Sequence, residues 1–152
     1  MRSLRSASAA ETHQIARAVA GGLRRGDVVA LKGELGAGKT QFVQGVAEYF
    51  CVVEPVTSPS FVLLNRYTGK DSDGTELLLY HFDLYRIRSE EELYDIGFEE
   101  FLRKEGIALV EWADRFPSML PADRVDVRMR HGIDASTREI EIQHREETVA
   151  AP

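Results

Sequence analysis

The sequence predicts an α/β domain with a mixed parallel/antiparallel sheet. Three observations carry that expectation. Short β-branched apolar runs alternate with segments of helical period. A glycine-rich turn leads from one such run directly into a helix. Two period-two segments face each other across a turn near the C-terminus, which reads as a β-hairpin. The order is not a regular βαβα alternation, so a mixed sheet of three layers fits better than a standard doubly wound one. The 152 residues suit one domain, and its ends, 1–7 and 146–152, are expected to fray.

The elements follow in order. Ser8 and Glu11 have capping-box spacing, and Ile15, Ala16, Val19, Ala20 and Leu23 continue at helical period to a stop at Gly26. Residues 27–32 form a short apolar strand, 33–38 a glycine-rich turn, and 39–50 a helix presenting Phe42, Val43, Val46 and Ala47. Residues 56–60 are a loop, because Pro59 donates no hydrogen bond and restricts Ser58. Strands at 61–67 and 76–82 flank a polar turn at 69–74. Ser89 and Glu92 start another capped helix, and helix resumes at 99–104 after Gly97. Residues 107–112 are a strand, and 125–130 with 138–143 make the closing hairpin.

Composition excludes several classes. With 19 basic and 25 acidic residues the net charge is -6, so no overall attraction to nucleic acid exists and no DNA partner is expected. One cysteine rules out an internal disulfide framework, and Cys51, in the apolar-leaning stretch 49–53, reads as a small buried hydrophobe. The four histidines lack metal-ligand spacing. No apolar run approaches the roughly 18 residues of a membrane span, and the start lacks a secretory apolar region. A cytoplasmic protein without a membrane partner is expected.

Gly33-Glu34-Leu35-Gly36-Ala37-Gly38-Lys39-Thr40 satisfies the phosphate-loop (P-loop, Walker A) pattern at each fixed position, between a strand and a helix. Glycines let successive N–H groups converge on phosphate oxygens, and the helix N-terminus adds partial positive charge. Lys39 supplies a compact cation and Thr40 a hydroxyl for Mg²⁺. Such a site needs a further carboxylate beyond a neighbouring strand. Asp83 and Glu111 both qualify, and spacing alone leaves the choice open. Glu111 ends the more uniformly apolar strand, while Asp83 could orient water or a switch loop. Thr57 and Ser58 offer hydroxyls on a constrained loop, an ordinary turn or a nucleotide sensor. Arg86 and Arg88 are candidate phosphate or partner contacts, or solvated surface residues. Trp112 alone favours core packing over stacking on a base. His81 reads as a packed or hydrogen-bonded residue rather than a base.

The P-loop, then Thr57-Ser58-Pro59-Ser60-Phe61, His81-Phe82-Asp83-Leu84-Tyr85-Arg86, Asp95-Ile96-Gly97-Phe98-Glu99-Glu100 and Val110-Glu111-Trp112 occur in that order. The set resembles the bacterial TsaE (YjeE) family of small P-loop ATPases, over roughly residues 8–142. The resemblance implies a P-loop NTPase-like fold and a role in threonylcarbamoyl modification of the adenosine next to the anticodon of tRNA. It implies ATP and Mg²⁺ as cofactors and TsaB and TsaD as partners, with tRNA reached indirectly through their complex. By position, Lys39 would bind phosphates, Thr40 and Glu111 would hold Mg²⁺, and Asp83 would serve hydrolysis. Trp112 would lie near the base, Thr12 in the base pocket, and Thr57 and Ser58 in a switch loop. Ser60 stands where Thr is commoner, and Ala113-Asp114 where Pro-Glu is frequent. A small-molecule P-loop kinase and a non-catalytic nucleotide switch are the alternatives.

Overall fold

The computed structural model describes residues 1–102 and 106–145. One seven-stranded mixed sheet organises them. Its strands are β1 (Arg2–Ser6), β2 (Val28–Gly33), β3 (Leu64–Lys70), β4 (Glu76–Asp83), β5 (Ile107–Glu111), β6 (Arg124–His131) and β7 (Arg138–Arg145). The helices are α1 (Ala9–Ala20), α2 (Lys39–Tyr49), α3 (Glu90–Asp95) and α4 (Phe98–Leu102). Two short 3-10 turns, Ala113–Arg115 and Pro117–Met119, follow β5. The spatial order is β1-β7-β6-β2-β5-β4-β3.

The centre is parallel: β2 pairs with both β5 and β6, and β4 with β5. The flanks are antiparallel, as β3–β4, β6–β7 and β1–β7. The expected C-terminal hairpin is β6–β7. Alternation along the central strands sorts their side chains into two cores. Val29, Leu31, Leu79, Leu109 and Val127 face α1 and α2 with Phe42, Val43 and Val46. Val28, Ala30, Tyr80, Phe82 and Val110 face α3, α4 and the 3-10 turns with Leu93 and Phe98. Phe42, Phe82 and Phe98 are fully buried, each contributing about 1.5–3 kcal/mol by leaving water.

The capping-box pair at α1 is engaged, with the return bond made one residue before the N-cap Ser8. Ser8 accepts from the Glu11 N–H, and Glu11 Oε2 accepts from the Ala7 N–H. At α3, Ser89 is the N-cap in extended conformation but makes no side-chain bond, and Glu92 accepts from the Arg88 N–H instead. Helices α1 and α2 cross closely at Gly45, where a Cβ would lie 2.6 Å from Ala16 Cβ and 2.8 Å from the His13 carbonyl oxygen.

Several boundaries differ from the sequence expectation. Residues 2–6 do not fray: they form β1, registered along β7 from Arg2 opposite Ile142 to Ser6 opposite Arg138. Only Leu4 marks this strand as apolar, and it packs on the α1 core. The open edge of β7 supplies the rest, a tertiary signal. Residues 146–152 and the expected helical positions 103–104 lie outside the described residues. β3 begins at Leu64 rather than at 61, because Leu63 turns left-handed (φ 72°) and its N–H bonds the Pro59 carbonyl. β3 also runs on through Lys70, and the turn is closed by Asp71, whose Oδ1 accepts from the Asp73 and Thr75 N–H groups.

Cys51 is exposed, not buried. It occupies the left-handed position after α2 (φ 60°), where the Cys51 N–H reaches the Glu48 carbonyl and the Val52 N–H reaches Ala47. These two bonds are a Schellman cap, usually built on glycine, and they turn the Cys51 side chain away from the core.

Candidate functional site

The parallel strands bring their C-terminal ends to one edge, where β2 runs through the glycine loop into α2. Gly33 adopts φ 148°, and a Cβ there would lie 2.4 Å from the Met129 carbonyl oxygen of β6. Only glycine leaves the loop room to turn beside that strand. Ala37 is buried in the α2-side core, and its N–H bonds the Glu34 carbonyl, which tightens the turn. Gly38 caps α2 in left-handed conformation.

A cleft of about 600 Å³ opens above this loop. Leu35, Gly36, Gly38, Lys39 and Thr40 line it from the loop and the start of α2, Asp83 and Tyr85 from the end of β4 and just after it, and Glu111 and Trp112 from the end of β5 and just after it. Ser8, Ala9 and Thr12 close one side from the start of α1, with Ala135, Ser136 and Arg138 from the β6–β7 turn.

Lys39 is buried, and its ammonium donates to the Gly33 and Glu34 carbonyls at 2.7 and 2.8 Å. It lies 4.0 Å from the centre of the Trp112 ring, a cation–π contact. Desolvation pulls its pKa below the ordinary lysine value, while Glu111, Asp114, Asp83 and Glu34 oppose that fall. An anion arriving at the cleft would meet a cation short of negative partners in its immediate shell, since both its named acceptors are neutral carbonyls.

The two acidic candidates separate by their partners. Asp83 and Glu111 are opposite one another in the β4–β5 register. Alternation points both toward α2. The Thr40 hydroxyl lies 3.1 Å from each Glu111 oxygen. Asp83 instead accepts from Ser58 Oγ at 2.9 Å and Ser60 Oγ at 3.3 Å on Oδ2, and from the Tyr85 N–H on Oδ1. Behind Glu111, the fully buried His81 places Nε2 at 2.5 Å from Glu111 Oε2.

The other singled-out residues divide. Trp112 does not pack wholly in the core. It follows β5 in left-handed conformation (φ 58°), half-buried at the cleft and against the Tyr85 ring at 4.8 Å between centroids. Thr12 reaches the cleft, its hydroxyl bonded to Ser6 Oγ at 2.7 Å. Ser58 reaches it too, but Thr57 does not line it: the Thr57 N–H bonds the Tyr67 hydroxyl and its carbonyl accepts from Asn65. Arg86 and Arg88 are also not among the lining residues, and the Arg86 guanidinium covers the exposed Phe61 ring. Sequence reasoning missed Arg138, Ser136 and Tyr85. Arg138 donates to the Gly36 carbonyl at 3.2 Å, so the cleft holds a second cation from 102 positions away. No local pattern marks it, since it is one of several arginines on the β6–β7 hairpin.

The chain and its fold match known proteins. The family model for "Threonylcarbamoyl adenosine biosynthesis protein TsaE" matches residues 6–140. The chain belongs to the TsaE family. The TsaE of Bacillus subtilis strain 168, named a tRNA threonylcarbamoyladenosine biosynthesis protein, is 39% identical over 130 residues, 86% of this chain and 78% of that protein. The TsaE of Treponema pallidum is 40% identical over 137 residues, 90% of this chain and 96% of that protein. Among solved structures, Bacillus subtilis YdiB superposes with a TM-score of 0.78 at 33% identity, covering 95% of this chain and 86% of that one. The mixed α/β architecture expected from sequence is therefore that of a solved relative. Among the described residues no helix is long and apolar enough to cross a membrane.

Proposed function

We propose that this chain is a Mg²⁺-dependent ATPase of cytoplasmic tRNA threonylcarbamoyladenosine biosynthesis, acting with the TsaB–TsaD complex and reaching tRNA through it. The names of its relatives support the pathway. The observation that carries the chemistry is the convergence of Lys39, Thr40, Asp83 and Glu111 on one cleft beside a glycine loop.

The residues fit the ligands they would take. A hydroxyl and a carboxylate that meet at 3.1 Å are hard oxygen donors, suited to Mg²⁺, which keeps water and phosphate oxygens for its other positions. Thr40 and Glu111 would hold that ion, and when bound it supplies charge neutralisation at the phosphates. The loop N–H groups and the start of α2 bind phosphate oxygens, and Lys39 turns its ammonium from two carbonyls to them. Asp83, anchored by Ser58 and Ser60, presents a fixed acceptor that orients a water's hydrogens. Trp112 and Tyr85 offer flat apolar surface at the cleft for a base. Arg86 and Arg88, the arginines a kinase reading would place over the phosphates, are not among the residues lining the cleft, which favours action through partner proteins over a small-molecule kinase.

The deciding experiment measures ATP hydrolysis by wild type and Lys39→Ala, alone and with TsaB–TsaD and tRNA. The expected result is slow hydrolysis alone, a changed rate with the complex, and loss of both in the variant. Failure to associate with TsaB–TsaD in the presence of ATP would sink the partnered reading. ADP release that depends on a metabolite acceptor would favour the kinase, and tight binding without turnover under any condition the non-catalytic switch.

A further inference from the structure

We infer that His81 is the positioning residue for Glu111, a neutral hydrogen-bond donor that fixes which way the carboxylate faces Thr40. This rests on the reading that Thr40 and Glu111 hold Mg²⁺.

The fold brings the pair together. In the β4–β5 register His81 is opposite Leu109, two residues before Glu111, so alternation puts His81 and Glu111 on the same face as diagonal neighbours. His81 is wholly inaccessible to solvent, and Nε2 meets Glu111 Oε2 at 2.5 Å.

The two donors to Glu111 do different work. The Thr40 hydroxyl has one hydrogen to share between two oxygens at equal distance, so it does not select an orientation. His81 bonds Oε2 alone and does. A carboxylate only accepts, so the hydrogen belongs to Nε2. Nδ1 has no hydrogen-bond partner among the described residues. A buried N–H without an acceptor is rare, which assigns Nδ1 as the bare nitrogen. The imidazole therefore orients Glu111 without adding charge. A lysine or arginine there would set a cation against the carboxylate and compete with a divalent ion for it. Carboxylate ligands backed by such a hydrogen bond lose roughly 10–100-fold in metal affinity or activity when the partner is removed.

The test uses the full chain and its one tryptophan, Trp112, as the probe of the cleft. ATP is held constant, Mg²⁺ is titrated, and the fluorescence midpoint is read for wild type, His81→Leu and His81→Gln. ATP affinity without Mg²⁺ and melting temperature are measured alongside. His81→Leu is expected to raise the Mg²⁺ midpoint by about tenfold or more with Mg²⁺-free affinity within twofold. His81→Gln, whose amide reaches the Nε2 position, is expected to restore most of it. Equal impairment of both variants would mean a packing role and overturn the assignment, as would an unchanged midpoint in His81→Leu. Nitrogen-15 NMR of wild type gives a second readout that survives misfolding of a variant. It should show His81 with Nε2 protonated and Nδ1 bare, and the opposite tautomer would overturn the assignment. A wild type with no Mg²⁺ response removes the metal reading itself, and the assignment with it. A responsive wild type beside an equally responsive His81→Leu removes only the assignment.

Discussion

Asp83 and Glu111 stand directly opposite one another on adjacent parallel strands, yet their carboxylates are held by separate sets of partners. Thr40 and His81 hold Glu111, and Ser58 and Ser60 hold Asp83. Neutralising each should therefore break a different step. Glu111→Gln should lose Mg²⁺-dependent nucleotide binding. Asp83→Asn should keep nucleotide affinity within a few-fold while hydrolysis falls by roughly 10²–10⁴. Binding isotherms and single-turnover hydrolysis on the two variants check the division.

The two serines on Asp83 back each other up. Ser58 donates to Oδ2 at 2.9 Å and Ser60 to the same oxygen at 3.3 Å, and the two hydroxyls lie 3.0 Å apart. Ser58→Ala or Ser60→Ala alone leaves one donor in place. The double variant leaves a carboxylate without a side-chain donor from that loop. Its loss of hydrolysis should exceed the product of the single losses, which a double-mutant cycle measures directly.

At Gly45 helix propensity and packing pull in opposite directions. Alanine favours a helix by about 1 kcal/mol over glycine. Here its Cβ would enter within 3 Å of both Ala16 and the His13 backbone. Overpacking of this kind costs about 1–3 kcal/mol, so Gly45→Ala should destabilise the protein despite the better helix former. Urea unfolding checks the sign.

Glu48 clamps the same helix pair from the surface, accepting from His13 Nδ1 at 2.7 Å and Arg17 Nη1 at 2.5 Å. Desolvation works against its ionisation, but the bonds from His13 and Arg17 prevail and hold its pKa below the ordinary carboxylate value. A depressed carboxylate stabilises the fold above its unfolded pKa, and that contribution disappears as pH falls through the folded value. Glu48→Gln should thus be less stable than wild type near neutrality and equal to it in acid. The gap should stay under about 1 kcal/mol, because the carboxylate is half-exposed and screened. Unfolding curves at the two pH values give the difference.

What the sequence revealed and what it hid divide along a physical line. The P-loop, the α1 capping box and the central strands were legible because each is written in consecutive residues: glycines, a Ser–Glu spacing, β-branched runs. The terminal strand β1 was not, because one leucine makes no pattern and the strand exists through the edge of β7. Cys51 has an apolar-leaning neighbourhood but sits at a left-handed cap, which depends on where α2 stops. Thr57 and Ser58 are adjacent in the chain, yet only Ser58 reaches the cleft. Arg138 enters it from a hairpin far along the chain. In each case a tertiary contact decides, and no local spacing encodes it.

The central position of β2 has a consequence in time. Its partners on either side, β5 and β6, are made long after it, and the Thr40 hydroxyl waits for a carboxylate 71 positions downstream. On the ribosome the glycine loop emerges with nothing to close against. Topologies dominated by such distant pairings fold slowly, because loop closure precedes any reward from contacts. A chain that ends before β5 and β6 carries the whole motif but lacks Glu111 and the strands that complete the cleft.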